Sequence, residues 1–289
     1  MKQPVFTGVC TALVTPFCQN QVNFSMLETL LQRQLDAGID ALLLCGTTGE
    51  SPTLSDDEKL AIFRHAKAYV RNRCPVIAGT GSNNTAHAVA LSKEAEEIGV
   101  DALLLVSPYY NRANDEGLFH HYRAIAEAVS IPIILYNVPS RTAVDIPVSV
   151  YKRLAEIPNI VGVKEASGDI TKITRIRAAC PEDFTIWTGN DGQIVPAMSL
   201  GAAGVISVLS NVLPEETMQM THSALDVEFG TAGKLQIAFQ PLIDLLFCEV
   251  NPIPVKAAME ELGLDCGPCR LPLGPISEAN RRKIKAYLQ

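Results

Sequence analysis

The chain has 289 residues, of which 47% are hydrophobic and 19% charged, a balance typical of a protein with much buried strand. Its net charge is −7, which argues against nucleic acid as a partner. No apolar run approaches the length of a membrane span and the N-terminus lacks a signal-peptide core, so we expect a cytoplasmic protein without a membrane partner.

Short apolar runs of strand length alternate with helix-like segments from the N-terminus onwards. Eight such runs are predicted as strands: 8–15, 41–45, 76–78, 102–107, 131–136, 160–164, 184–188 and 204–208. Eight is the number of β/α units that closes a barrel, so the predicted fold class is α/β, a (β/α)8 TIM barrel.

The helices between the strands have recognisable ends, such as the capping box that begins at Ser55 and includes Glu58. Beyond Pro214 the strand pattern ceases, and helical segments continue to the end of the chain. The sequence therefore predicts a (β/α)8 catalytic barrel over residues 1–224 and a C-terminal helical region over residues 225–289.

Lys164 ends the sixth predicted strand, which is apolar up to that residue. An ammonium in that place has two interpretations. It reaches water along its own aliphatic stem, which is the commoner case, or it lies in a pocket of low polarity. Such a pocket lowers the pKa of the lysine and leaves a neutral amine able to attack a carbonyl.

The loops that follow the strands of such a barrel build its active site, and here they are polar. They carry Gly46-Thr47-Thr48-Gly49-Glu50, Gly79-Thr80-Gly81-Ser82-Asn83, Ser107-Pro108-Tyr109-Tyr110-Asn111, Tyr136-Asn137-Val138-Pro139-Ser140-Arg141 and Gly189-Asn190-Asp191. The fifth and sixth strands should be neighbours about 4.8 Å apart, which brings the Tyr136 hydroxyl within reach of the Lys164 amine. A phenol beside an amine can transfer the protons that imine chemistry requires.

Two of these loops suit anions. The turn at residues 46–49 exposes backbone N–H groups beside two hydroxyls, and Arg141 offers a guanidinium fork for a second carboxylate. Together the loops predict a site for a small carboxylated carbonyl compound, attacked by Lys164 to form a Schiff base. Each motif alone has a plainer interpretation, since Gly-Thr-Thr-Gly is also an ordinary turn. A phosphate site after the last two strands is the nearest alternative, but the segment 207–211 has no glycine.

The same segments, together with Val163-Lys164-Glu165-Ala166 and Asn251-Pro252-Ile253-Pro254-Val255-Lys256, resemble the 4-hydroxy-tetrahydrodipicolinate synthase (dihydrodipicolinate synthase) family of pyruvate-dependent class I aldolases. The resemblance covers essentially the whole chain. It implies an enzyme in which pyruvate forms an imine with Lys164. The resulting enamine attacks L-aspartate 4-semialdehyde on the route to diaminopimelate and lysine. No metal or organic cofactor is implied, because the lysine itself is the electron sink.

The resemblance also implies how protons move. Tyr136 would be the proton donor and acceptor, and Thr47 would link it to Tyr110. In the family this last tyrosine enters the site from a neighbouring subunit. The usual assembly is a homotetramer, built as a dimer of dimers.

Substrate contacts are implied for four further residues. Thr48 and Ile206 would hold pyruvate, Gly189 would line the pocket, and Arg141 would bind the carboxylate of the semialdehyde at the mouth. A sialic-acid or keto-deoxy-sugar lyase of the same superfamily is an alternative that shares the lysine and the tyrosine but lacks the arginine. A barrel that binds pyruvate without catalysis is a third hypothesis.

Two further motifs receive plainer interpretations. The segment from Cys266 to Cys269 has the spacing of a thioredoxin-type redox motif, but no strand precedes it, so an ordinary turn with reduced thiols is expected. His120 and His121 lie in a predicted helix without partners at metal-ligand spacing, which indicates a solvated helix face.

The last prediction concerns regulation. Lysine-inhibited members of the family bind lysine at a subunit interface through a serine, two histidines, an asparagine, a glutamate and a tyrosine. At the matching positions Ser51, Asn83 and Tyr109 are retained, whereas Asp56 and Lys59 replace the histidines and His87 replaces the glutamate. The absence of the glutamate charge and the repulsion from Lys59 each cost a cationic ligand about 1 to 3 kcal/mol of binding free energy, although Asp56 could partly compensate. The sequence therefore predicts an enzyme that is insensitive to lysine.

Overall fold

The structure, a computed structural model, describes residues 1–289, and its central element is a closed barrel of parallel strands. The barrel strands are β1 Gly8–Ala12, β4 Ala41–Leu44, β5 Val76–Gly79, β6 Ala102–Val106, β7 Ile133–Asn137, β8 Ile160–Glu165, β9 Thr185–Thr188 and β10 Gly204–Ser207. They follow one another in chain order, and β1 closes the ring by pairing with both β4 and β10. Each predicted strand overlaps one of them, so the predicted α/β TIM barrel is confirmed.

A short antiparallel hairpin follows β1 and was not predicted. It consists of β2 Phe17–Cys18 and β3 Gln21–Val22, joined by Gln19 and Asn20, whose φ angles are +50° and +63°. Two central residues with positive φ match the right-handed twist of a two-residue hairpin. Each strand is too short to show an apolar alternation, and for this reason the pattern along the sequence gave no sign of the hairpin.

Helices surround the barrel and form the C-terminal region. They are α1 Phe24–Asp36, α2 Asp56–Val70, α3 Thr85–Ile98, α4 Asp115–Ala126, α5 Pro139–Thr142, α6 Val148–Leu154, α7 Ile170–Ala179, α8 Ile194–Ser199, α9 Pro214–Leu225, α10 Phe229–Leu246, α11 Ile253–Glu261 and α12 Glu278–Leu288. The predicted capping box opens α2: Ser55 Oγ accepts the N–H of Glu58, whose carboxylate accepts the N–H of Ser55. No helix combines the length and the apolar character needed to cross a membrane.

The predicted C-terminal helical region corresponds to α10, α11 and α12. The proposed boundary at residue 224 falls in the last turn of α9, and the division of the chain there stays a prediction. The Cys266 and Cys269 thiols are free and lie in the connection between α11 and α12. Burial raises the pKa of each to about 12, so both thiols are protonated at neutral pH.

One expectation for the helices is wrong in part. His120 is exposed, as a solvated helix face requires, but His121 is buried and only 5% exposed. Its Nδ1 is 2.9 Å from the Thr85 hydroxyl, and burial lowers its pKa to about 4. Adjacent residues on a helix point about 100° apart, so one can face the core while the other faces water.

Side chains from alternate positions of the strands fill the barrel interior. This inner layer consists of Phe6, Cys10, Ala12, Ala41, Leu43, Ile77, Ala102, Leu104, Ile134, Tyr136, Val138, Val161, Ala166, Trp187 and Ile206. A larger cluster of 67 residues fills the space between the strands and the helices. The barrel is therefore a packed core, and polar groups gather only where the strands end.

The pairing of β8 with β7 skips one residue, Val161. Val161 belongs to the inner layer, and strict alternation from it would turn Lys164 outwards. The extra residue shifts the alternation by one position. Lys164 therefore faces the interior, in register with Tyr136 on β7 and Trp187 on β9.

Candidate active site

Lys164 and Tyr136 form the centre of the candidate site. They lie opposite each other on β8 and β7, as predicted for neighbouring strands, and Lys164 Nζ is 4.5 Å from the centroid of the Tyr136 ring. Both residues are buried, with exposures of 5% and 6%. The amine is thus not at the protein surface, where the commoner interpretation of such a lysine would put it.

Gly189 leaves room for the stem of Lys164. A Cβ on residue 189 would lie 2.8 Å from Lys164 Cε and 2.7 Å from Ala166 Cβ, closer than carbon atoms pack. The N–H of Gly189 donates to the carbonyl of Glu165 at 2.7 Å, so the backbone cannot easily move away. Any larger residue here would displace the lysine.

Ile206 lies in the inner layer of the barrel, with no exposed surface, in register with Cys10 on β1. The loop with Thr47 and Thr48 begins where β4 ends. Its turn is closed by the N–H of Glu50, which donates to the carbonyl of Thr47 at 3.1 Å. The Thr48 hydroxyl is buried and accepts a hydrogen bond of 3.0 Å from Nδ2 of Asn251.

A cavity of about 690 Å³ opens at this end of the barrel. Thr47, Tyr136 and Arg141 line it, and it continues past Asp56 to His87. Arg141 is exposed at the cavity wall, where its Nη2 donates to the backbone carbonyl of Asn251 at 3.1 Å. The cavity therefore brings together a hydroxyl, a phenol and a guanidinium that are far apart in the sequence.

Besides Tyr110, four predicted site residues do not line this cavity: Thr48, Lys164, Gly189 and Ile206. Tyr110 differs from them because it is exposed at the surface. Its side chain is 92% exposed and does not line the cavity. Its backbone has φ +69°, in the left-handed region that residues other than glycine rarely adopt. The loop thus turns this tyrosine away from the site of its own chain.

The buried carboxylates around the site were not predicted from the sequence, and Asp191 and Glu165 are two of them. Asp191 is 1% exposed and accepts hydrogen bonds from the Ser207 hydroxyl and from the N–H groups of Val208 and Leu209, at 2.6, 3.0 and 3.1 Å. Burial raises its pKa, against the effect of these donors. Asp191 lies in the loop after the seventh predicted strand, and this position was the sequence feature that could have identified it as a residue near the site. Its effect is to fix the turn that follows Ile206.

Glu165 is the second missed carboxylate, and it lies directly behind the site. It accepts hydrogen bonds of 3.0 and 3.2 Å from the Asn137 amide and one of 2.7 Å from the N–H of Ser167. Burial raises its pKa, and the Ser167 bonds oppose that shift. Glu165 and Asn137 directly follow Lys164 and Tyr136, so this polar pair ties the two strands together behind the reactive groups.

The chain is similar to known proteins over almost its whole length. A family model described as "Dihydrodipicolinate synthetase family" matches residues 5–289. The 4-hydroxy-tetrahydrodipicolinate synthase of Acetivibrio thermocellus is 47% identical over 100% of this chain and 98% of its own, and that of Caldicellulosiruptor saccharolyticus is 49% identical over 99% and 97%. The crystal structure of a dihydrodipicolinate synthase from Bacillus anthracis matches with a TM-score of 0.95 and 44% identity, covering 99% of this chain and 98% of that one.

Proposed function

The chain belongs to the dihydrodipicolinate synthetase family and has 4-hydroxy-tetrahydrodipicolinate synthase activity, and we propose that Lys164 carries this reaction by forming an imine with pyruvate. Family membership confirms the resemblance found in the sequence. The observation that carries the proposal is the buried amine of Lys164, 4.5 Å from the Tyr136 ring at the end of the barrel where active sites lie.

In the proposed reaction the Lys164 amine attacks the carbonyl carbon of pyruvate, and loss of water gives the imine. Removal of a methyl proton then gives an enamine, because the imine nitrogen accepts the electron pair. The enamine carbon attacks the aldehyde carbon of L-aspartate 4-semialdehyde and forms the new carbon–carbon bond. The imine nitrogen serves as the electron sink, so this mechanism requires neither a metal nor an organic cofactor.

We assign the proton transfers to Tyr136 and Thr47, which line the same cavity. Thr48 and Ile206 are the proposed pyruvate contacts, and Gly189 is proposed to keep the pocket open. The close approach of Gly189 to the Lys164 stem supports that last role.

The exposure of Tyr110 supports an assembly in which this residue serves the site of a neighbouring subunit. We propose a homotetramer, a dimer of dimers, as the working form. We also propose a cytoplasmic location.

The proposal is tested by borohydride reduction in the presence of pyruvate, followed by peptide mass mapping. We expect one reduced adduct, on Lys164, and none in Lys164→Arg, since a guanidinium does not form the imine. Lys172→Arg is the matched control, because Lys172 is also buried but its ammonium is paired with Asp145. An adduct on any residue other than Lys164 would refute the assignment.

Arg141 separates the synthase from a sugar lyase of the same superfamily. A guanidinium at the cavity wall suits the carboxylate of the semialdehyde, and its loss should leave the pyruvate subsite intact. For Arg141→Ala we expect a raised KM for the semialdehyde and little change in the KM for pyruvate, measured in steady-state kinetics. An equal loss for both substrates would mean that Arg141 supports the loop and not the semialdehyde.

A further inference from the structure

The C-terminal region reaches the loop that carries Thr47 and Thr48. Glu50, at the end of that loop, has a side chain with 0% exposure. Its Oε1 lies 2.6 Å from Nζ of Lys256 on α11, and its Oε2 accepts the backbone N–H of Arg270 at 2.9 Å. The Lys256 side chain is itself 5% exposed. A buried ion pair therefore joins the loop to a helix more than 200 residues later in the chain.

Burial makes the two charges depend on each other. A single carboxylate or ammonium without a partner is strongly unfavourable in a protein interior. Phe17 adds to the support, because Lys256 Nζ is 4.5 Å and the Arg270 guanidinium carbon 4.3 Å from the centroid of its ring. The Glu50 carboxylate is thus stabilised mainly by the positive charge of Lys256, which belongs to the C-terminal region.

The anchored side chain maintains an unfavourable backbone at Glu50. Its φ is +56°, in the left-handed region that a glutamate seldom adopts. In this conformation its N–H closes the turn onto the carbonyl of Thr47. Asn251, two residues before α11, holds the Thr48 hydroxyl directly. The C-terminal segment thus contacts Thr48 directly and the turn at Thr47 through Glu50.

We propose that Lys256 is a positioning residue for the pyruvate subsite. It contacts no substrate and acts through Glu50, whose pairing sets the turn with Thr47 and Thr48. The inference rests on the proposed function, which gives these threonines their roles in binding and proton transfer. Without the Lys256 charge, the turn relaxes, the KM for pyruvate rises and kcat falls, while Lys164 still forms the reducible adduct.

The test is a double-mutant cycle of Lys256→Met and Glu50→Gln, with steady-state kinetics and thermal unfolding measured for each protein. Each single variant should unfold at a lower temperature and lose about tenfold or more in kcat/KM for pyruvate. The double variant buries no unpaired charge, so its unfolding temperature should recover, whereas its kcat/KM should stay low. Lys256→Arg keeps the charge and should retain most of the activity.

Arg281→Met is the matched control, because it removes a partly exposed contact with Glu260 from the same region, and it should behave like the parent. If the double variant regained kcat/KM together with its unfolding temperature, Lys256 would be structural only and the inference would be wrong. It would also be wrong if folded single variants kept the parental kcat/KM. A parent enzyme that forms no adduct on Lys164 would instead overturn the proposed function and this inference with it.

Discussion

At the scale of single residues, the proposed reaction gives different roles to two neighbouring side chains. In the proposed mechanism Lys164 provides the nucleophile, and Tyr136 provides a hydroxyl that exchanges protons with the bound intermediate. Because the two groups come from adjacent strands of a rigid barrel, their separation is set by the strand spacing and not by a flexible loop. Their contributions can therefore be separated by mutation.

Tyr136→Phe removes the hydroxyl and keeps the ring that packs beside the amine. We expect kcat to fall about 10²- to 10⁴-fold, the usual value of a positioned acid or base, while borohydride still traps the imine. Steady-state kinetics and trapping in the same preparation provide the comparison, with Tyr69→Phe as the control, because Tyr69 on α2 is half-buried and lies outside the cavity. Near-parental kcat in the phenylalanine variant would remove Tyr136 from the proton relay.

The buried His121 predicts a pH dependence of stability. Its pKa is about 4 in the folded chain and 6.5 ordinarily, so the unfolded chain binds more protons between these values. Above pH 6.5 the histidine is neutral in both states and contributes nothing. As the pH falls from 6.5 to 4, protonation favours the unfolded chain, and the free energy of unfolding drops by about 3 kcal/mol from this residue.

Denaturant unfolding at equal protein concentration, from neutral pH down to pH 4, measures this effect. His121→Gln should lose less stability than the parent over that interval and should match its pH dependence above pH 6.5. His120→Gln is the matched control, because the neighbouring histidine is exposed, and its curve should follow the parent throughout. Identical pH dependences for His121→Gln and the parent would exclude His121 as the source.

At the scale of elements, the irregular pairing of β8 decides which way the reactive lysine points. The skipped residue, Val161, is followed by Gly162, which is in register with Thr185 on β9. A Cβ on residue 162 would lie 2.1 Å from the carbonyl oxygen of Thr185 and 2.9 Å from the Trp187 ring. The pairing thus requires a residue without a side chain, next to the strand end that carries Lys164.

Gly162→Ala should push β8 away from β9 and disturb the alternation that turns Lys164 inwards. We expect a loss of stability on the order of 3 kcal/mol and a loss of activity that exceeds the loss of folded protein. Gly230→Ala in α10 is the control, since no atom approaches that position within 4 Å and alanine favours a helix. Parental unfolding temperature and activity in Gly162→Ala would contradict this account of the strand.

At the scale of the whole molecule, the cavity extends from Tyr136 and Arg141 to the residues matched with the family's lysine site. Asp56 was the residue that could compensate for the missing glutamate, but both of its carboxylate oxygens already contact other side chains. Oδ1 is 3.2 Å from Lys59 Nζ, and Oδ2 is 2.7 Å from His87 Nε2. Asp56 thus pairs with the ammonium of Lys59, so its carboxylate is not free to bind a cationic ligand.

We therefore expect activity to be unaffected by L-lysine at sub-millimolar concentration, measured as rate against inhibitor at fixed substrate. The converse variant, with Asp56→His, Lys59→His and His87→Glu, restores the family's residues and should gain inhibition, because a free carboxylate becomes available to a cationic ligand. Inhibition of the parent in this range would show that Asp56 exchanges its partners for the ligand.

The sequence by itself determined the eight strands, their order, and the loops from which Thr47, Tyr136 and Arg141 reach one cavity. These follow from local patterns, because apolar periodicity marks each strand and a closed barrel brings all its strand ends together. The missed hairpin at residues 17–22 shows the limit of such patterns, since its strands are too short to carry one.

Only the tertiary structure decided the direction in which Lys164 points and the contacts that hold the neighbouring loop. The skipped residue on β8 depends on contacts with two other strands, and no pattern within the strand itself predicts it. The burial of Glu50 against Lys256 depends on a helix from the far end of the chain. Charges separated by so many residues become partners only when folding brings them together, so their pairing is a property of the folded chain and not of either segment.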